Sequence, residues 1–386
     1  MTRQSGHDRR PRPSNPPGPM GRGGRPGSAG SQAAWGRSPR RLQGGAELRA
    51  ELLAAARGYT FAQALMTGNA IGLFDALARP ATTATLARRL KCSRRGIRAL
   101  VDALMAMDLL GRRGERISLR PAAAELLRST GRESIVNLLH HQQHLYTRWS
   151  GLETAVRSGR PTEARSAGLA ARERFQQAML EGARRAIPEV LALLDLRACE
   201  SFLDVGGGLG AYAAALVRRW PHLDGTLLEQ PPVARLARRY LRAEGLAERI
   251  AVIAGDARRD PLGGSYDLVL FSNVLHIYSR RECVAILRRA VRALAPRGTI
   301  LIKDFFLRRD RRGPLRAGLF ALNMLIATET GAVLSEAELD AVLRSAGLRR
   351  IATRAIGEAS LLVAAAPPGK PGARPEAMPC LRASPC

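Results

Sequence analysis

The sequence predicts an α/β protein in which an all-α winged-helix domain precedes a doubly wound parallel sheet. The first indication is a short apolar run, Ser201–Val205, that passes through a glycine-rich turn into an alanine-rich helical segment. A helix-turn-helix pattern over residues 83–104 is the second, and it indicates a separate domain nearer the N-terminus. The third is a set of further apolar runs of strand length, at residues 225–228, 250–253, 266–271 and 299–302.

Composition limits both the size and the function of the protein. The chain has 386 residues, of which 46% are hydrophobic and 24% charged, so it has room for two domains and a large core. Its formal net charge of +28 comes almost entirely from arginine, because only three of its 61 basic residues are lysine. These arginines are spread along the whole chain, which indicates a GC-rich coding bias, and no specific nucleic-acid partner is expected.

The two ends of the chain and its cysteines set further limits. Residues 1–45 and 367–386 are rich in proline, glycine and arginine, so we predict two disordered tails, the first of them basic. The five cysteines include no C-x-x-C pair, which argues against a zinc site and against a disulfide framework. No apolar run is long enough to span a bilayer, and we expect a soluble, cytoplasmic protein with no membrane partner.

Residues 46–155 have helical periodicity. Apolar residues recur three or four apart from Leu48 to Leu77, in greater number than one core would need, so we expect a two-fold interface and a homodimer. The helix-turn-helix that follows ends in a possible wing strand, Arg116–Leu119. Three arginines would begin its recognition helix, which leaves a DNA-binding regulator open as an alternative. They are Arg94, Arg95 and Arg98.

Three histidines lie in the next helical segment, at His140, His141 and His144. The first and last share a helix face, but Gln142 and Gln143 stand where a metalloprotease would carry its glutamate. We therefore predict no metal site here. This helix is expected either to border a substrate pocket or to pack between domains.

The glycine-rich turn after Ser201–Val205 indicates a ligand site. Glycine is needed where the backbone takes positive φ, and a missing Cβ lets a ligand lie against the chain near a helix N-terminus. The spacing Gly206-x-Gly208-x-x-Ala211 also satisfies a dinucleotide fingerprint, so the turn alone does not identify the ligand. Carboxylates stand at the ends of three successive predicted strands, at Asp204, Glu229 and Asp256. Glu229 falls where an acid can accept both ribose hydroxyls.

A histidine reaches the same edge of the predicted sheet. Ligands of open α/β sheets bind at the carboxyl ends of the strands, and His276 follows the predicted strand at residues 266–271. Asp304 follows the next strand, and Glu336 lies near a helix start. Together with the motif D-x-G-x-G-x-G from Asp204, this set resembles the class I S-adenosylmethionine-dependent O-methyltransferases of the plant-type, acetylserotonin-like small-molecule family. The likeness covers about residues 48–365 and indicates a bacterial member.

The resemblance implies both an architecture and a ligand set. A Rossmann-like methyltransferase domain is implied over residues 156–366, preceded by a winged-helix dimerisation domain over residues 46–155 that does not read DNA. The cofactor would be S-adenosyl-L-methionine, the partner a small-molecule acceptor, and the assembly a homodimer. Cofactor contacts are implied for Asp204, Gly206, Gly208, Glu229, Asp256, Ala257 and Ser272. Acceptor contacts are implied for Phe175, Met179, Asn323 and Met324.

The implied chemistry is methyl transfer to a hydroxyl group of a small aromatic, polyketide-like or isoprenoid metabolite. The resemblance makes His276 the general base and makes Asp304 and Glu336 its acidic partners. A neutral phenol is a poor nucleophile until a base takes its proton, which a histidine can do at neutral pH. Ile277 stands where the family has an aspartate, so methyl transfer to carbon, or other cofactor-dependent chemistry, stays open as an alternative.

Overall fold

The structure, a computed structural model, describes residues 44–162, 168–357 and 360–367. The tails predicted at residues 1–45 and 367–386 lie outside the described residues, apart from residues 44, 45 and 367. The described residues divide into two units, with the boundary between residues 55 and 56. Every site discussed below lies within the second unit.

The N-terminal elements are helices and one hairpin. They are α1 (Gly45–Ala70), α2 (Leu73–Ala76), α3 (Thr83–Arg89), α4 (Arg94–Ala106), β1 (Leu110–Arg113), β2 (Arg116–Leu119) and α5 (Pro121–Leu127). Side chains cap both helices of the helix-turn-helix, because the Thr82 hydroxyl accepts the Thr85 amide at 3.2 Å and the Ser93 hydroxyl accepts the Gly96 amide at 3.0 Å. The predicted wing strand forms as β2, which pairs antiparallel with β1.

Three helices follow before the large sheet begins. They are α6 (Val136–Trp149), α7 (Leu152–Ser158) and α8 (Leu169–Leu193). α6 packs along α8, and Glu181 of α8 accepts the Leu138 amide at 2.8 Å and the Asn137 side-chain amide at 2.7 Å. A carboxylate at the N-terminus of a helix is favourable because the helix dipole is positive there. This contact fixes the start of α6 on α8.

The elements that follow form a seven-stranded sheet and the helices that cover it. They are β3 (Ser201–Val205), α9 (Ala211–Arg219), β4 (Asp224–Glu229), α10 (Pro231–Ala243), β5 (Ile250–Ala254), β6 (Tyr266–Ser272), a 3₁₀ turn (Leu275–Ile277), α11 (Arg280–Arg292), β7 (Leu294–Phe305), α12 (Leu315–Ala327), α13 (Glu336–Ser345), β8 (Arg349–Ile356) and β9 (Ser360–Ala366). The strand order is β5-β4-β3-β6-β7-β9-β8. The first five are parallel, whereas β9 runs antiparallel to both its neighbours. The predicted Rossmann-like α/β fold is confirmed.

Apolar side chains cover both faces of this sheet. Leu203 and Val269 face α11 and α13, whereas Phe202 and Leu268 face α8, α9 and α10. Consecutive residues of a strand alternate between the faces, so strands buried on both sides read as the continuous apolar runs seen in the sequence. None of the helices in the described ranges is long and apolar enough to cross a membrane.

The sheet register brings the predicted polar residues to one edge. Val205 pairs with Leu228 and Phe271, and Phe271 pairs in turn with Ile302. The residues that come next therefore meet at the carboxyl edge of the strands. They are Gly206, Glu229, Ser272 and Lys303, and Asp304 follows Lys303 on β7.

Candidate active site

His276 and Asp304 form a buried pair at the carboxyl edge of the sheet. Imidazole Nδ1 and carboxylate Oδ1 are 2.7 Å apart, and the two residues are only 9% and 1% exposed. Asp304 also accepts the main-chain amide of His276 through Oδ2, at 3.3 Å. A carboxylate oxygen accepts a hydrogen bond from Nδ1–H, and in the neutral imidazole with this tautomer Nε2 has a free lone pair.

Two aromatic rings complete the surroundings of the imidazole. Phe320 of α12 meets the His276 ring with centroids 4.8 Å apart and planes at 87°. Phe305, the residue after Asp304, lies 4.4 Å from Phe320 between ring centroids. The contact between His276 and Phe320 is edge-to-face, which is favourable and directional, so it helps to fix the plane of the imidazole that Asp304 anchors.

The glycine turn has the backbone conformation that the sequence predicts. Gly206 and Gly208 have φ of +68° and +63°, in the left-handed region that favours glycine. A Cβ on Gly206 would lie 2.9 Å from Cγ2 of Val274, and one on Gly208 would lie 2.8 Å from Oε1 of Gln176. The turn therefore packs directly against α8 and against the residue that precedes the 3₁₀ turn of His276.

Glu229 meets this turn from the end of β4. Its Oε1 accepts the Gly208 amide at 3.1 Å, and its Oε2 accepts the Gln230 amide at 2.7 Å. Burial raises the pKa of Glu229, and the two amides lower it in part. Each carboxylate oxygen has a second lone pair, so Glu229 can also accept the hydroxyls of a ribose.

Asp204 lies beneath the turn and is fully buried, yet neither of its carboxylate oxygens has a hydrogen-bond partner of good geometry. Burial and the nearby Glu229 raise the pKa of Asp204 to about 7, which the Ala213 amide offsets in part. Oε1 of Gln176 is likewise buried and without a partner. Orphaned acceptors, a buried acid and a partly buried one fit a ligand that brings positive charge and donors. S-adenosylmethionine, with its sulfonium and ammonium groups, is such a ligand.

Ser272 ends β6 beside Tyr212 of α9. Both hydroxyl oxygens are buried and have no hydrogen-bond partner of good geometry. Burial raises the pKa of Tyr212 to about 12, an effect that the nearby Ser272 hydroxyl reduces and the Asp204 carboxylate increases. The phenol is therefore neutral at physiological pH, and Tyr212 joins Asp204 and Ser272 in one polar group under the glycine turn.

Asp256 is already engaged by an arginine from its own turn. The Arg258 guanidinium donates to both carboxylate oxygens at distances between 2.7 and 3.1 Å, which holds the pKa of Asp256 below its usual range. Arg258 also lies 5.9 Å from the centroid of the Tyr278 ring. The Asp256 carboxylate, which the resemblance assigns to the cofactor, thus has a partner within the protein. Ala257 is buried in the apolar core of the sheet.

The predicted acceptor contacts on α8 are accessible. Phe175 and Met179 lie one helical turn apart and are 42% and 37% exposed. The Phe175 ring meets His141 of α6 at 5.2 Å between centroids. Burial, with smaller effects from His144 and Arg148, lowers the pKa of His141 to about 4. This imidazole is therefore neutral at physiological pH and can both donate and accept a hydrogen bond.

The predicted contacts on α12 differ from each other. Oδ1 of Asn323 accepts the indole N–H of Trp149 at 3.3 Å, which ties α12 to α6. Met324 is 5% exposed and packs with Leu307 and Val333 in a small apolar cluster. Asn323 therefore belongs to the side of α12 that meets α6, whereas Met324 belongs to the buried side.

The structure does not pair the second predicted acid with the histidine. Glu336 is the first residue of α13, and its Oε2 lies 3.4 Å from Nη1 of Arg350 on β8. The same guanidinium donates to the main-chain carbonyl of Glu336 at 2.9 Å. Of the two acids predicted to partner His276, Asp304 bonds to it and Glu336 bonds to Arg350.

Several residues of this site carry little signal in the sequence. Gln176 and Phe305 stand next to Phe175 and Asp304, so adjacency to a motif is the one sign that marks them. Phe320 has no such sign, because it is one of several apolar residues in α12. Within the described ranges, no group of three His, Cys, Asp or Glu side chains is arranged to hold a metal ion.

Two family models match this chain. The model of the O-methyltransferase domain matches residues 140–349, and that of the O-methyltransferase dimerisation domain matches residues 53–129. The first range contains every residue that the sequence analysis assigns to the base, its acids, the cofactor and the acceptor. The second range contains the helix-turn-helix and its wing.

Individual proteins are similar over most of their length. Acetylserotonin O-methyltransferase of Mus musculus molossinus is 33% identical over 328 residues, which cover 78% of this chain and 84% of that protein. The 3-hydroxy-5-methyl-1-naphthoate 3-O-methyltransferase of Streptomyces sahachiroi is 32% identical over 308 residues, 77% and 89% of the two chains. The solved structure of human N-acetylserotonin methyltransferase in complex with S-adenosylmethionine matches with a TM-score of 0.76 and 27% identity, over 85% of this chain and 99% of that one.

Proposed function

This chain belongs to the S-adenosylmethionine-dependent O-methyltransferases, and we propose that it uses His276 to take the proton from a hydroxyl group of a small aromatic acceptor. One observation carries the proposal, namely the bond of 2.7 Å between His276 and the buried Asp304. It holds the imidazole in the tautomer whose Nε2 accepts a proton.

The proposed reaction assigns one task to each residue of the pair. S-adenosylmethionine, when bound, would supply a methyl group bonded to a sulfonium sulfur. Loss of that methyl group leaves a neutral thioether. His276 Nε2 takes the hydroxyl proton as the acceptor oxygen forms its bond to the methyl carbon. Asp304 keeps Nδ1 protonated and stabilises the imidazolium that results. Phe320 restricts rotation of the ring, so Nε2 stays aimed at the acceptor.

The residues around the glycine turn are proposed to hold the cofactor. Glu229 is assigned to the ribose hydroxyls, because it is fixed by the Gly208 amide and keeps free lone pairs. Asp204 and Gln176 are assigned to the charged amino-acid end, because their buried oxygens have no partner. The two glycines allow the ligand to approach the main chain.

A flat aromatic acceptor suits the ring that packs on the base and the side chains that the resemblance assigns to the acceptor. Phe175, Met179 and Phe320 offer apolar and aromatic surface, and His141 is a neutral hydrogen-bonding group beside Phe175. Two of the similar proteins are named for acetylserotonin and for a hydroxynaphthoate, and both compounds carry an aromatic hydroxyl. We therefore propose a phenolic or naphtholic metabolite as the acceptor class.

Methyl transfer to oxygen is the first expected result. The chain should transfer labelled methyl from S-adenosylmethionine to N-acetylserotonin, to 3-hydroxy-5-methyl-1-naphthoate, or to both. The matched controls are the same two compounds with the hydroxyl already methylated, which should accept nothing because they have no proton for His276 to take. Nuclear magnetic resonance locates the new methyl group, and a methyl on ring carbon would replace this proposal by C-methylation.

A homodimer is proposed as the working assembly, because the dimerisation-domain model matches residues 53–129. In residues 56–70 of α1, Tyr59 and Phe61 are 56% and 40% exposed, which is unusual for large aromatic side chains without a covering surface. Light scattering should give the mass of a dimer, and the double variant Tyr59→Asp, Phe61→Asp should give a monomer. Ile253→Asp, an equivalent change on β5, should leave the dimer intact. A monomeric wild type would contradict the assignment.

A further inference from the structure

We propose that Lys303 is a positioning residue for His276 and that it acts through Asn273. The proposal rests on the proposed function, in which His276 is the base. Lys303 is the residue before Asp304 on β7, and Asn273 is the residue after β6. Neither residue belongs to the pair that handles the proton.

Asn273 stands at the point where the chain leaves the sheet. Its φ is +56°, a left-handed conformation that is uncommon for a residue other than glycine. Lys303 holds it in two ways, because the Lys303 carbonyl accepts the Asn273 amide at 2.8 Å and Lys303 Nζ donates to Asn273 Oδ1 at 3.1 Å. One lysine therefore fixes both the main chain and the side chain of the residue that turns toward His276.

Two consecutive residues of β7 hold the segment that carries the base. Lys303 binds Asn273 and Asp304 binds His276, so this segment is attached at both ends. Val274 lies between the two attachments and packs against Gly206 of the glycine turn. The Lys303 contact is thus placed to set the distance between the base and the cofactor turn.

Burying the charged Lys303 side chain at this position costs folding free energy. Lys303 is 5% exposed, and burial lowers the pKa of its ammonium, an effect that Asp304 reduces in part. The other charged groups that act on it are Arg316 of α12 and Glu189 of α8. A methionine would occupy similar volume without a buried charge, and replacing buried charges by apolar groups is often neutral or stabilising.

The same observations separate a positioning role from simple core filling. If Lys303 only fills space, Lys303→Met should be harmless, because its apolar stem is retained. If Lys303 positions the base, Lys303→Met should free Asn273, and a small displacement of a catalytic group can slow a reaction strongly. The two readings therefore predict different rates from the same variant.

The experiment compares Lys303→Met with Lys91→Met, a matched change of an exposed lysine. Single-turnover methyl transfer, with whichever probe the wild type accepts, should slow about 10-fold or more in Lys303→Met and remain unchanged in Lys91→Met. Calorimetry should give an affinity for S-adenosylmethionine within about twofold of wild type. Amide hydrogen exchange should accelerate in peptides covering residues 270–279 and should not change in peptides from α13.

Asn273 provides a second route to the same answer. Asn273→Gly keeps the left-handed backbone but removes Oδ1, so it should slow transfer by a similar factor. Adding Lys303→Met to Asn273→Gly should cause no further loss, because the contact is already absent. This route also decides the matter if Lys303→Met does not fold.

His276→Ala keeps failure of this inference distinct from failure of the proposed function. Equal transfer by wild type and His276→Ala would remove the base assignment itself. Slow transfer by His276→Ala together with wild-type transfer by Lys303→Met would overturn the role of Lys303 alone. So would unchanged exchange at residues 270–279 in Lys303→Met, a readout that needs no acceptor. Independent losses in the double variant of Lys303 and Asn273 would remove Asn273 from the proposal.

Discussion

Turnover of the His276→Ala variant is expected to fall about 10²- to 10⁴-fold, the usual range for loss of a positioned proton acceptor. Alanine removes Nε2, and the acceptor hydroxyl would then have to give its proton to water. Steady-state rates of labelled methyl transfer to the probe that the wild type accepts would measure the loss. Because the structure buries His276 against Asp304 and Phe320, no other imidazole can take its place without moving these residues.

Two controls define what this loss means. Affinity for S-adenosylmethionine should stay close to wild type, because the hydrogen bonds that hold Glu229 to the glycine turn and to Gln230 do not involve the imidazole. The loss should also shrink for a nitro-substituted phenol, since an acceptor that is already ionised needs no base. A variant with wild-type turnover on an ordinary phenol would show that the reaction proceeds by proximity alone, and His276 would lose its assignment.

Asp304→Asn is expected to lower turnover about 10²- to 10³-fold, somewhat less than the loss known for the corresponding change in a serine-protease triad. The asparagine amide can donate to Nδ1, which would move the ring proton to Nε2 and leave the base in the wrong tautomer. Glu336→Gln is the matched change of the other predicted acid. It should alter turnover by less than about twofold, because Glu336 bonds to Arg350 of β8 and not to the imidazole.

The two acids are compared by steady-state kinetics and by double variants. Asp304→Asn should add little to His276→Ala, since residues that act as one unit do not contribute independently. Equal losses from Asp304→Asn and Glu336→Gln would show that both carboxylates serve the base, as the resemblance implies. A loss of turnover in Glu336→Gln alone would show that Glu336, and not Asp304, orients the His276 imidazole.

Short-range patterns made much of this site predictable. Asp204, Glu229 and Asp304 each end an apolar run, and parallel strands carry their ends to one edge, so neighbours in space follow from the order of strands. The glycine turn is equally local, because its positive φ values are a property of the residues themselves. These patterns do not indicate which hydrogen-bond or ion-pair partner each polar side chain has in the folded protein.

Three departures show why the remainder could not be read from the sequence. Glu336 faces Arg350 because α13 packs on β8, a contact between elements that no local pattern encodes. Arg258 takes the Asp256 carboxylate, although the spacing of Asp256 after its strand is unaltered. β7 begins at Leu294 and runs through Pro296 and Gly298, residues that ordinarily mark a break, because a register shift against β6 accommodates them.

The order of strands has a consequence for how this protein is made. β9 follows β8 in the chain but lies between β7 and β8 in the sheet. During synthesis, the edge of β7 that pairs with β9 therefore stays unpaired until β9 has left the ribosome. β8 likewise has no strand partner in this sheet until then. An open, apolar edge is the kind of surface that pairs with other chains. Nascent chains of this protein should accordingly depend on chaperones, or on rapid closure, once β7 has been made and until β9 is available.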